Sequence, residues 1–322
     1  MSPSPFAIEN PGYLHRLPLA PETNGAANGA TWLHMCTRHP ETAGQLVGVE
    51  GLDRLTVEAM MRQEARSRIL VRDDGVMVLL KAMHKREGFK PEDMISLRIW
   101  VDRERVITTR EADVDAIVDL RDRLLQGQGP TTPAQFLADL VDAHLAEVTE
   151  EVDALEDAVG RLDAHTLADR YLGDAPCGDV ASISMTIAGL LRHLTPQRVV
   201  LERLSQLNCA FAGKTHVAQW AHALDELLRL LEALQGIREE LAIVTAQAQR
   251  IQDRQLAKVN LLLGMVAGAF LPTTLFAGLM GMNVGGIPLA DRPWSFTVFA
   301  LACAAFSASI LIWFRRRDWT RP

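Results

Sequence analysis

The chain has 322 residues, 48% of them apolar, and a formal net charge of −7. That length fits one large domain or two modest ones, and the negative balance argues against a general nucleic-acid binder. Four cysteines (Cys36, Cys177, Cys209 and Cys303) lie far apart with no CxxC pair, which excludes a disulfide framework and fits reduced thiols in a cytosolic compartment.

Residues 1–30 are rich in Pro, Gly, Asn and Ala and read as a loose leader. They lack the basic and apolar regions of a cleaved secretory signal. Thr31–Cys36 has the composition of a short strand. His34, Cys36 and His39 invite a zinc reading, but on a strand the third group falls past a turn and no fourth ligand is near, so an ordinary strand end is the better account. Leu52–Gln63 has helical spacing. Arg68–Val71 and Val76–Met83 flank Asp73-Asp74-Gly75, a hairpin signal. Met94–Val101 alternates as a strand, followed by a polar turn at Asp102–Arg105 and a short strand at Val106–Thr109. This part reads as a mixed sheet with helices. It contains no phosphate loop, nucleophile elbow or metalloprotease motif, so the chain is not expected to be an enzyme.

From Asp113 the pattern is helical. Asp113–Leu125 ends at Gly127-Gln128-Gly129-Pro130, and Thr132-Pro133 opens a long helix, proline being well placed at a first helical position. Between Ala134 and Gly160 that helix carries Asp139, Asp142, Glu147, Glu150, Glu151, Asp153, Glu156 and Asp157 and no lysine or arginine. A solvated face explains this, and a surface that attracts cations or docks arginines is the sharper alternative. Gly178–Leu207 is a further helix with basic character at Arg192, His193, Arg198 and Arg203. After Gly213, Trp220, Leu224, Leu227, Leu231, Leu234, Ile237, Leu241, Val244, Ala248 and Ile251 recur at steps of three and four. A helix running unbroken from Thr215 to Leu279 spans on the order of 100 Å. One chain of this size can hardly bury such a seam, so an oligomer is expected.

Leu261–Asn283 is free of charge and long enough to cross a hydrocarbon core of ~30 Å. Asn260, Pro272, Thr273, Thr274 and Asn283 punctuate it, and polar groups at such depth are costly unless they face a bundle interior or a water path. Asn260, Leu263, Ala267, Leu271, Thr274 and Gly278 share one helical stripe, which reads as pore-lining. A helix–helix contact face is the alternative, because Gly264-x-x-x-Gly268 permits close approach. Ser295–Phe314 is a second apolar span. Arg250, Arg254 and Lys258 precede the first span and Arg315-Arg316-Arg317 follow the second, while Asp291 and Arg292 cancel in the connecting segment. Both termini are therefore expected inside, with Trp294 and Trp313 as interfacial aromatics.

Gly281-Met282-Asn283 directly after a first span, the two-span C-terminal hairpin and the basic end together resemble the CorA superfamily of divalent-metal transporters. The resemblance implies an α/β cytoplasmic domain, long stalk helices and a transmembrane hairpin in a funnel-shaped homopentamer of the cell inner membrane, multi-pass, with both termini cytoplasmic. The implied division is a leader at 1–30, a mixed α/β domain at 31–130, cytoplasmic helices with the stalk at 131–258, a pore-lining span at 259–279, an external loop at 280–294, a second span at 295–314 and a basic tail at 315–322. It also implies that Asn283, presented by Gly281 and Met282, meets the incoming ion through its hydration water at the outer mouth. Asn260, Leu263, Ala267, Leu271 and Thr274 then line the pore.

Gly285-Gly286-Ile287-Pro288 and Trp32-Leu33-His34 look more like the ZntB zinc-transport branch, which implies Zn2+ as cargo, with proton coupling as an option of that branch. Mg2+ or Co2+ through a CorA-type channel is the runner-up, and a membrane-anchored sensor or scaffold the third reading. No permanently bound cofactor is implied; the partners are the other copies of the chain in the homopentamer, the bilayer and divalent cations, with no nucleic acid.

Overall fold

The computed structural model describes residues 16–19, 29–48, 50–62, 66–72, 75–84, 90–111, 114–167, 175–209, 211–282 and 292–316. The chain forms two compact units, Met1–Val244 and Thr245–Pro322.

The first unit is built on a six-stranded sheet. In chain order its strands are β1 (Arg16–Pro18), β2 (Thr31–Cys36), β3 (Arg68–Val71), β4 (Gly75–Ala82), β5 (Ile95–Asp102) and β6 (Arg105–Arg110). They are arranged β1-β2-β6-β5-β4-β3; β2 runs parallel to β6, and the other pairs are antiparallel. The central strands are buried at almost every position, Arg98, Thr108 and Thr109 included, because both faces are covered. On β4, Val76, Val78 and Leu80 face one core while Met77 and Leu79 face the other. The smaller core is closed by α1 (Thr42–Gly48) and α2 (Arg54–Met61). Asp53 caps α2, its Oδ1 accepting from the backbone N–H groups of Leu55 (2.9 Å) and Thr56 (3.0 Å). The larger core receives α3 (Asp115–Leu125), α4 (Pro133–Leu167), α5 (Ala175–Ser205) and the first half of α6 (Lys214–Met280).

Strand β1 lies inside the segment expected to be a loose leader. It is held by a buried carboxylate that the local pattern does not announce: Glu50, 3% exposed, accepts from Arg16 of β1 (3.2 Å) and from Arg105 of β6 (2.8 Å). Helix α1 was not anticipated either, being seven residues with two glycines. Asp73 and Asp74 of the expected hairpin turn fall outside the described residues. Gly75 opens β4 where a Cβ would stand 2.5 Å from the Trp100 ring and 2.7 Å from the Val101 carbonyl oxygen, so a larger residue cannot enter without displacing that tryptophan.

His34, Cys36 and His39 do not converge. His34 is fully buried, with Nδ1 2.5 Å from the Thr108 hydroxyl, which also accepts from Trp32 Nε1 at 2.9 Å; His39 Nδ1 accepts from the Glu41 N–H. Trp32 and Leu33 are core residues. Among the described residues no group of three His, Cys, Asp or Glu side chains is placed to hold a metal.

The acidic helix divides its charge. Asp139 accepts from Arg123 of α3 at 3.1 Å, an arginine dock, whereas Asp142, Glu150, Asp153, Glu156 and Asp157 are exposed. Partial desolvation pushes the Asp139 and Asp142 carboxyls up, with Arg123 opposing this at Asp139 and the neighbouring Asp139 and Glu226 carboxylates adding to it at Asp142. Asp115, Asp119, Glu147 and Glu150 line a cavity of about 410 Å3 between α3 and α4. Arg198 of α5 pairs with Glu202 on its own helix, and no ion pair between α4 and α5 is seen among the described residues.

Helix α6 is unbroken over 67 residues and contributes to both units. In the first unit its seam (Trp220, Ala223, Leu227, Leu230, Leu231, Leu234, Ile237, Leu241, Val244) is buried. Past Val244 the covering stops, and residues 252–260 are all exposed.

Candidate functional site

The second unit contains the end of α6 and α7 (Ser295–Arg316). The apolar part of α6 is long and apolar enough to cross a membrane; the corresponding stretch of α7, Ser295–Ile310, is shorter. Length and composition of this kind are met by both anchors and channels, so the placement of the polar groups decides what the segment can do.

Two faces of α6 behave differently. Thr273 and Ser307 share a hydrogen bond of 3.1 Å between their hydroxyls, joining α6 to α7. The covered residues are those in phase with this link. On α6 they are Met265 (7% exposed), Ala269 (4%) and the half-buried Pro272. On α7 they are Phe299, Cys303 and Ile310, all half-buried. Steps of three and four keep each set on one face. At about 100° per residue, Asn260, Leu263, Ala267, Leu271, Thr274 and Gly278 centre roughly 180° away from the Met265–Thr273 face. All six are exposed, Leu263 and Leu271 more than 60% so. The α7 contact therefore does not consume the stripe. Gly264 and Gly268 are also outside it, since a Cβ on either meets nothing within 4 Å.

Three adjacent residues alter the backbone chemistry along this stretch. Pro272 cannot donate to the carbonyl of Gly268, which loses its ordinary helical partner. The Thr274 hydroxyl donates to the Phe270 carbonyl at 2.8 Å, and that of Thr273 to Ala269 at 3.0 Å. With its proton so engaged, the Thr274 oxygen keeps its lone pairs for a cation or for water bound to one. Gly281 ends the helix, its N–H donating to the Ala277 carbonyl at 2.9 Å, and Gly281 and Met282 are exposed. Asn283 lies outside the described residues, as do residues 284–291.

The structure thus brings five of the eight predicted site residues onto one uncharged face and puts Gly281 and Met282 at its C-terminal end. What the sequence missed is the separate contact face, whose signal was the pairing of Thr273 with a serine on the following apolar run.

The family model for CorA-like Mg2+ transporter proteins matches residues 27–316, nearly the whole chain. The chain belongs to the CorA-like family. That family is described by transport, which agrees with the absence of a catalytic motif in the sequence. The divalent cation transporter CmaX of Pseudomonas aeruginosa is 31% identical over 297 residues, covering 89% of this chain and 87% of that protein. The zinc transport protein ZntB of Cronobacter sakazakii is 25% identical over 288 residues, again covering 89% and 87%. Among solved structures, full-length CmaX matches with a TM-score of 0.78 at 27% identity, over 92% of this chain and 91% of that one. The CorA magnesium transporter of Methanocaldococcus jannaschii has the same fold, with a TM-score of 0.79 at 17% identity over 93% and 94%.

Proposed function

We propose that the protein transports divalent metal cations across the inner membrane through a pore lined by α6. The observation that carries this reading is the uncharged stripe of Asn260, Leu263, Ala267, Leu271 and Thr274, exposed on the face opposite α7. In lipid, polar groups on such a face need partners, and other copies of the chain around a water-filled path supply them. The uncovered seam of α6 beyond Val244 supports the same arrangement, a homopentamer in which α6 and α7 form the transmembrane hairpin of each subunit. Arginine and lysine before the α6 span and at the end of α7 favour cytoplasmic termini.

In this reading Gly281 and Met282 set the turn that presents Asn283 at the outer mouth. An amide oxygen accepts from metal-bound water and carries no charge that would trap the ion. Leu271 narrows the path and closes it by dewetting. Zinc is the proposed cargo, on the likeness to the ZntB branch. Magnesium or cobalt is the second reading, favoured by the stripe itself: its only polar side chains, Asn260 and Thr274, offer oxygen to a hydrated ion and none of the His, Cys or carboxylate ligands that bare zinc prefers.

The test is metal uptake into proteoliposomes, with zinc and magnesium run in parallel, comparing the unaltered chain with Asn283→Ala. Flux well above empty vesicles, lost in the variant, is expected. No flux of any divalent ion leaves the anchored sensor or scaffold as the better reading, and equal flux in the variant removes Asn283 from the mouth. Repeating the assay with an imposed pH gradient tests proton coupling.

A further inference from the structure

The first unit holds a second cavity, of about 710 Å3, between the start of β3, strand β4, helix α5 and helix α6. Its lining is basic: Arg66, Lys81, Arg192 and Arg238 converge on it with His193, and no carboxylate is among the lining residues. These cations come from four separate elements, so no single helix pattern explains their meeting. Like charges brought together in a concave site repel one another and focus a positive field unless an anion answers them. No carboxylate pairs with Arg66, Arg192 or Arg238 among the described residues. The crowding shows in the contacts: an Arg192 Nη stands 3.4 Å from His193 Nε2. Burial lowers the His193 pKa, and the charges of Arg192 and Lys81 lower it further, against a hydrogen bond to the Glu92 backbone and the pull of Asp93.

The cavity is also built. Gln197 Nε2 donates to the Lys81 carbonyl at 3.0 Å, fixing α5 against β4. Gly189 lets α5 approach the Glu92 backbone, and Thr186 donates to Glu92 Oε2 at 2.9 Å, so the helix that carries Arg192 and His193 is pinned at two points. Leu191 and Pro196 add an apolar wall, and Ser67 and Thr195 add hydroxyls. A volume of several hundred Å3 with apolar walls and a few converging charges is the size and character of a small-molecule site. Bare phosphate would leave the apolar wall unused, whereas an aromatic base with a polyphosphate tail uses both parts.

We propose that this cavity binds a nucleoside polyphosphate, with Arg66, Lys81, Arg192 and Arg238 on the phosphates and the Leu191–Pro196 wall against the base. The site belongs to the soluble unit and needs no metal, so it is independent of the transport reading.

The experiment is calorimetric titration of the full chain in detergent, with EDTA present, using ATP, AMP and inorganic phosphate as probes. Saturable binding is expected for ATP, weaker for AMP and weakest for phosphate. Loss of two charge-assisted contacts in Arg192→Ser with Arg238→Ser should weaken ATP binding by at least about tenfold. Arg66→Gln, on the segment leading into β3, should weaken it in the same direction. All three positions are exposed arginines, so an unchanged melting temperature is expected and separates loss of binding from loss of fold. No saturable heat with millimolar ATP overturns the proposal. So does an unaltered affinity in both variants, or phosphate binding as tightly as ATP.

Discussion

His144 gives the first unit a defined acid limit. It lies on α4, 2% exposed, with Gln197 of α5 beside its ring. Burial disfavours the charged imidazolium and lowers its pKa from 6.5 to about 4, with Gln197 opposing only in part. The group is neutral in both states above pH 7 and contributes nothing there. As pH falls below 6.5 the unfolded chain takes up a proton that the folded chain refuses, so stability is lost on acidification through the window from 6.5 to about 4. The linkage integral gives a loss of about 2 kcal/mol between pH 7.5 and pH 5, levelling near about 3 kcal/mol below pH 4. The assay is guanidinium unfolding of the detergent-solubilised chain, followed by far-ultraviolet circular dichroism at both pH values. His144→Leu keeps the site filled and removes the titration, so its stability should change between the two pH values by about 2 kcal/mol less than that of the unaltered chain. Asp139 and Asp142, whose carboxyls are pushed up by burial, titrate in both proteins and cancel in the difference. Equal losses in the two proteins would refute the assignment of acid sensitivity to His144.

Three further substitutions test the packing and the helix faces on which the sites depend. Gly189→Ala should gain up to about 1 kcal/mol of helix propensity. It should lose about 1–3 kcal/mol to overpacking, because the new Cβ overlaps the Glu92 side chain and stands 3.0 Å from its Cα. A net fall in the denaturation midpoint is expected, and a rise would mean that the contact yields freely. Thr273→Val and Thr274→Val separate the two faces of α6. Removing the Thr273–Ser307 hydrogen bond should lower thermal stability by roughly 0.6 kcal/mol with metal flux retained, whereas Thr274→Val should alter flux with stability retained. The reverse pattern would exchange the roles of the faces.

The elements that were legible in the sequence are those whose period is enforced by burial. Thr31–Cys36 and Arg68–Val71 are strands at the boundaries read from composition, and α6 ends within one residue of the expected Thr215 and Leu279. Helix α4 runs on past Gly160 to Leu167 because Val159 and Leu162 continue its buried face. What stayed hidden depends on partners distant in sequence. Strand β1 has only three residues, and its place is set by Arg16 reaching Glu50, 34 residues away. The basic cavity is invisible for the same reason: Arg66, Lys81, Arg192 and Arg238 are unremarkable alone and become a site only when β4 and α5 are brought together.

The candidate pathway shows how far periodicity reaches. A step of three and four residues identifies a stripe but not its use, because a helix carries several such stripes and each side chain belongs to one. Asn260 to Gly278 and Met265 to Thr273 are both regular sets on the same turns of α6. Small residues made the first set look equally suited to helix packing. The partner decides between them: α7 presents Phe299, Cys303, Ser307 and Ile310, and the hydroxyl of Ser307 meets Thr273 rather than Thr274. One residue of offset turns the side chain by about 100°, which is enough to place Thr273 in a contact and leave Thr274 on the opposite side. With its proton already given to Phe270, Thr274 offers an oxygen opposite the α7 contact, within the broad surface of α6 that its own chain leaves exposed.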